Sequence, residues 1–119
     1  MKNTSTDIQI LQNIIVKFRD ERSWKQFHNP KDMSLSLVLE ATEVMEHFQW
    51  MNKEEMDDYI SSHKNEIGKE LADVLYWVFL LSYDLNIDIA TILREKIKEN
   101  SQRYPVEKSK GKHTKYTDL

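Results

Sequence analysis

Two short acidic motifs, Glu40-Ala41-Thr42-Glu43 and Glu70-Leu71-Ala72-Asp73, constrain this chain more than anything else in it. In each motif the carboxylates stand three residues apart, which places them on one face of a helix. Each motif is set in an apolar run. Leu35, Leu37, Val38 and Leu39 precede the first, and Val44, Met45, Phe48 and Trp50 follow it; Val74 to Leu81 follow the second. Four carboxylates facing a core must be paired, protonated or bound to a cation. Few lysines or arginines lie near enough in sequence to pair with them. A divalent cation with oxygen ligands is the economical answer. Two antiparallel helices would bring the motifs face to face.

Helices are also what the composition favours. Two glycines and two prolines in 119 residues disfavour a turn-rich β fold. A hydrophobic content of 39% suffices for one domain but leaves little to spare, so self-association would help. There is no cysteine, which excludes a disulfide framework, a thiolate metal site and a Cys nucleophile, and fits a cytoplasmic setting. No run approaches the roughly 20 apolar residues of a membrane span. The net charge of −3 argues against direct nucleic-acid binding.

Along the chain, Thr6-Asp7-Ile8-Gln9 reads as a capping box that opens a first helix, and its pattern fades after Arg22. The stretch Ser23 to Pro30 shows no period; its Trp24 and Phe27 either plug helix ends or line a pocket. Asp32 or Ser34 caps a second helix running to about Met51. His47 lies on its acidic face and reads as structural. Asn52-Lys53-Glu54-Glu55 opens a short acidic helix. A long third helix follows from about Lys64 to Leu85, buried on most sides, with Gly68 its weak point. Asn86 interrupts it, and Asp88 caps a fourth helix from Ile89 to about Arg103, with Ile89, Ile92, Leu93 and Ile97 as its core face. Pro105 ends the helical region. The expected architecture is an all-α four-helix-bundle domain over residues 1–105, followed by a basic tail, residues 106–119, that is either loose or closes over the site.

Carboxylates at this spacing on facing helices can hold Mg²⁺ and leave positions for water and phosphate oxygens, which suits phosphate chemistry. No Gly-rich phosphate loop exists. A di-iron site needs Glu-x-x-His on two helices, and the chain lacks it. An isolated E-x-x-E is common on helix surfaces; the pairing of two such motifs inside apolar runs gives this one its weight.

The blocks Trp24-Lys25-Gln26-Phe27-His28, Glu40-x-x-Glu43, Phe48-Gln49-Trp50, Glu70-Leu71-x-Asp73-Val74-Leu75, Arg103-Tyr104-Pro105 and Lys115-Tyr116-Thr117-Asp118-Leu119 resemble the MazG-like all-α nucleotide pyrophosphohydrolases, in particular their dCTP pyrophosphatase branch. The resemblance spans Ile8 to the C-terminus. It implies Mg²⁺-dependent hydrolysis of a nucleoside triphosphate, with dCTP or 5-modified dCTP favoured, to a monophosphate and pyrophosphate. It also implies Glu40, Glu43, Glu70 and Asp73 as catalytic metal ligands and a homodimeric or homotetrameric assembly. Trp24, Lys25, Gln26, Phe27, His28, Trp50 and Trp77 would line the base and sugar pocket, and Lys96, Asn100, Lys115 and Tyr116 would meet the nucleotide. Three departures bear on base choice. Leu39 precedes Glu40 where many members have a further Glu, Trp77 stands where the branch has a tyrosine, and Ile15 replaces a histidine of the animal proteins. A broader or non-pyrimidine specificity, or a helical module that binds nucleotide without catalysis, remain alternatives.

Overall fold

The computed structural model describes residues 6–119, and the described residues form helices and turns with no strand. The all-α expectation holds. The chain divides into two compact units, Met1–Asn86 and Ile87–Leu119.

In the first unit, α1 spans Asp7–Asp20, α2 Pro30–Glu46 and α3 Lys53–Asp84. The capping box at Thr6 is present, with the Thr6 hydroxyl accepting from the Gln9 amide at 3.2 Å and the Gln9 side chain accepting from the Thr6 amide at 2.9 Å. The start of α2 differs from expectation. Asn29 is the cap, its side chain accepting from the Asp32 amide at 2.9 Å, and Pro30 occupies the first helical position. Proline lacks the amide that would go unpaired there, and its fixed φ suits a helix start. The same residue that forbids helix at Asn29 therefore opens the next one. At the other end α2 stops at Glu46, short of Met51, and turns carry the chain to Asn52.

Asn52 caps α3 by accepting from the Glu55 amide at 2.9 Å. Within α3, His63 leaves helical geometry (φ −122°, ψ 18°), so two helical segments meet there. This break matches the boundary read between the short acidic helix and the long one. Gly68 has no neighbour that a Cβ would meet, so packing does not require a glycine there.

α3 packs against both α1 and α2. The fully buried side chains are Arg19 of α1, Met33 of α2 and Leu80 of α3. Leu35, Val38, Leu39, Leu71 and Leu75 are exposed, so α3 is less enclosed than its composition suggests. The apolar runs cover more of each helix than its packing within the first unit requires.

The second unit contains α4, Ile89–Arg103, and the short α5, Val106–Ser109. Asn86 precedes it with φ 57°, a left-handed conformation asparagine tolerates better than most residues. Asp88 caps α4, accepting from the Thr91 amide at 3.1 Å and the Thr91 hydroxyl at 2.9 Å. Ile92, Leu93 and Ile97 are exposed and do not form the core face expected of them. The C-terminal segment is more ordered than its composition suggests. Tyr116 sets its ring edge-on to Tyr104 at 5.8 Å, and the Arg103 guanidinium lies 4.9 Å from the Tyr116 ring centre. Two rings and a cation supply what a polar, period-free sequence does not advertise.

Candidate active site

α2 and α3 bring the two acidic motifs into one neighbourhood. Burial raises the Glu40 carboxyl above its ordinary pKa, and the charges of Glu43, Asp73 and Glu70 raise it further. Glu40 and Glu70 are half-buried, whereas Glu43 and Asp73 are exposed, so the acids rim an open face and do not sit inside a core. Glu40 Oε2 is buried without a hydrogen-bond partner. The four carboxylates are neighbours, but among the described residues no three acidic or imidazole groups converge closely enough to enclose an ion.

His47 belongs to this neighbourhood, as its place on the acidic face of the helix leads one to expect. Its Nε2 contacts Glu70 Oε2, and its Nδ1 is in hydrogen-bond contact with the Tyr59 hydroxyl. Tyr59 in turn stacks on His63, with ring centres 4.0 Å apart. The i, i+3, i+7 spacing of Glu40, Glu43 and His47 carried this signal. What the sequence hid was Tyr59 reaching back across the turn to hold the ring.

Beside the acids lies an apolar cavity of about 510 Å³, lined by Ile14, Ile15, Phe18, Trp24, His28, Asp73, Tyr76 and Trp77. Asp73 belongs both to this wall and to the carboxylate group, so cavity and acids adjoin. Trp24 is fixed by its amide, which donates to the Arg19 carbonyl at 3.2 Å, and by edge-on packing on Phe18 at 5.6 Å. Trp77 meets His28 edge-on at 5.3 Å and Tyr76 at 5.1 Å. The structure therefore gathers Trp24, His28, Asp73 and Trp77 around one space.

Lys25, Gln26, Phe27 and Trp50, also singled out in the sequence, are not part of the cavity wall. Lys25, Gln26 and Phe27 form a turn of 3₁₀ helix outside the cavity wall, with Phe27 66% exposed. Gln26 Nε2 donates to the Ser23 carbonyl at 2.9 Å. Trp50 is 86% exposed and lines no part of the cavity. Lys96, Asn100, Lys115 and Tyr116 belong to the second unit. There Lys96 Nζ lies 3.8 Å from Glu99, the Asn100 carbonyl accepts from the Tyr104 amide at 2.8 Å, and the Lys115 carbonyl accepts from the Asp118 amide at 2.8 Å. Ile14, Phe18 and Tyr76 line the cavity without having been assigned to it. All three are apolar or aromatic residues at helical spacing, which sequence alone cannot distinguish from core.

Acids beside an aromatic cavity are the arrangement a nucleotide requires, with phosphates at one end and a base at the other. The MazG-like family model matches residues 35–119, from the start of the first apolar run to the C-terminus. This chain belongs to the MazG-like family. Over 114 residues it is 35% identical to dCTP pyrophosphatase 1 of Rattus norvegicus and 30% identical to dCTP pyrophosphatase 1 of Homo sapiens, in each case across 94% of this chain and 67% of the relative. Among solved structures it is similar to a pyrophosphatase from Archaeoglobus fulgidus, with a TM-score of 0.81 and 29% identity over 88% of this chain and 98% of that one. As a MazG-like protein with such relatives, the chain is an enzyme of the nucleoside triphosphate pyrophosphohydrolase class. The family match begins after His28, so α1 and the Trp24–His28 turn, which form one wall of the cavity, lie outside it.

Proposed function

We propose that this MazG-like chain hydrolyses a deoxynucleoside triphosphate between its α and β phosphates in the presence of Mg²⁺, with dCTP or a 5-modified dCTP as the favoured substrate. The observation that carries the reading is the adjoining of a carboxylate group, with an unpartnered buried oxygen on Glu40, to an aromatic cavity through Asp73. The relatives named dCTP pyrophosphatase 1 supply the base preference.

The donor set fits a hard divalent cation. It is all oxygen, and the buried Oε2 of Glu40 has no hydrogen-bond partner within the chain. Glu40, Glu43, Glu70 and Asp73 would hold the ion, which when bound supplies charge neutralisation for the phosphates and their leaving group. The chain's own residues do the rest. Trp24 and Trp77 offer ring faces and edges to the base, with stacking on an aromatic contributing about 1–3 kcal/mol. The apolar wall from Ile14, Ile15 and Phe18 excludes water from the base end. A carboxylate of the group accepts a proton from the attacking water and orients it toward the α phosphorus.

Self-association belongs to the same reading. Leu35, Val38 and Leu39 of α2 and Leu71 and Leu75 of α3 are exposed together with Ile10, Leu11 and Ile14 of α1. Apolar surface of this extent on two or more helices is suited to burial against further copies of the chain.

Incubating the purified protein with Mg²⁺ and each dNTP in turn, and identifying the products, tests the reading. A deoxynucleoside monophosphate and pyrophosphate, formed fastest from a cytosine nucleotide, is the expected result. Release of inorganic phosphate alone, or no turnover of any nucleotide, overturns it. Equal rates across the panel replace the cytosine preference with a broad one.

A further inference from the structure

Arg19 sits on the apolar side of α1, fully buried, 65 residues away in sequence from the group that neutralises it. Its Nη1 donates to Asp84 Oδ2 at 2.7 Å and its Nη2 to Asp84 Oδ1 at 2.9 Å, a two-pronged pair that fixes the plane of the guanidinium. The same Nη1 lies 3.4 Å from His28 Nδ1. A guanidinium has donors and no acceptor. A proton on His28 Nδ1 would therefore set donor against donor, so Nδ1 presents its lone pair and the neutral ring carries its proton on Nε2. Burial holds the His28 pKa below its ordinary value, and the Arg19 charge adds to this, while Asp84 opposes it. The groups that face His28 are thus Arg19 from α1, Asp84 and Trp77 from α3. His28 lines the cavity, and Nε2–H is the one polar hydrogen its ring has left to offer there.

We propose that Arg19 and Asp84 are a positioning pair which fixes His28 as the Nε2–H tautomer, so that the cavity presents a permanent hydrogen-bond donor and selects bases that offer an acceptor to it. The inference rests on the reading of the cavity as a base pocket. It assigns base discrimination to a pair of residues that never touches the substrate. A pyrimidine ring nitrogen or carbonyl oxygen satisfies the donor. A base presenting an amino group at that edge leaves two donors facing each other, an arrangement that sites built for hydrogen bonding reject strongly.

The experiment combines long-range ¹H–¹⁵N spectra of the histidine ring nitrogens in the substrate-free protein with steady-state kinetics. His28→Gln identifies the His28 signals by their loss. Removing Arg19 alone strands Asp84, so the informative variants change both partners. Arg19→Met with Asp84→Leu removes the charges together, and Arg19→Asp with Asp84→Arg exchanges them and turns a carboxylate toward Nδ1. The wild-type spectrum is expected to show a neutral Nε2–H ring, the neutral double variant a mixture of tautomers, and the exchanged variant a proton on Nδ1. In the neutral double variant KM for the favoured dNTP is expected to rise about tenfold while kcat changes less than about twofold, and in a His28→Gln background, which has no ring tautomer to fix, the same double substitution is expected to leave KM unchanged. A wild-type ring protonated on Nδ1 or on both nitrogens overturns the proposal, as does an unchanged KM in a neutral double variant that has folded. Failure of the chain to turn over any nucleotide defeats the proposed function instead, and the wild-type ring spectrum still decides the tautomer.

Discussion

Two sides of α3 handle polar groups in opposite ways. Toward α1, Gln12 Nε2 donates to the Phe79 carbonyl and reaches Ser82 Oγ, each at 3.0 Å, and Arg19 closes its two-pronged pair with Asp84. The fully buried Leu80 belongs to this same stretch of helix. Toward α2, Glu40 keeps a buried oxygen with no partner, and burial and like charges oppose its ionisation. The first side pairs its buried charge within the chain, with only Arg19 Nε left without a hydrogen bond. The other gathers like charges around a buried carboxyl, an arrangement common at functional sites.

The comparison breaks most visibly at Arg19. Arg19→Ala strands Asp84, whose side chain is only 18% exposed, and should cost about 3–5 kcal/mol in chemical denaturation. A loss below about 1 kcal/mol would mean that the α1 side is no better satisfied than the acidic one. On the acidic side, Glu43→Gln or Asp73→Asn should lower pyrophosphate release more than about hundredfold with unchanged helical circular dichroism. Loss of helicity in both would make these acids structural instead.

A smaller effect carries a sign. Because the folded-state pKa of Glu40 is raised, its protonated form favours folding. That contribution is fully present below the unfolded pKa and disappears as pH rises through the raised folded value. In the absence of divalent cations, stability should therefore fall over that window. Glu40→Gln should flatten the fall and raise the melting temperature at pH 7. An unaltered pH profile of melting temperature in this variant would show that Glu40 ionises without penalty. Smallest of all is Gly68→Ala, where a Cβ meets nothing: a gain of about 0.4–1 kcal/mol is expected from reduced freedom of the unfolded chain. A loss on urea titration would reveal a constraint at Gly68 that the helix itself does not impose.

The legible parts of the molecule were those whose cause is local. The Thr6 box, the Asn52 and Asp88 caps, the break near Lys64 and the interruption at Asn86 each need only a few neighbouring residues, and each stands in the structure. The paired acids were legible because helical spacing repeats across a turn. Asn29 was missed as a cap because Pro30 was read as a stop when it is also a start. Arg19 and Asp84 were invisible for a different reason. A charge on an apolar stripe announces an ion pair but not its partner, and here the partner comes 65 residues later. Tyr116 against Tyr104 is the same case in a segment where composition signalled no structure.

The placement of the tryptophans has an optical consequence. The chain has three, of which Trp24 and Trp77 wall the cavity while Trp50 stands free in solvent. Emission from the first pair answers to whatever enters, by quenching against a stacked base or by a change in local polarity. The third contributes a steady background. Occupancy of the cavity can thus be followed by intrinsic fluorescence, without a label and without turnover.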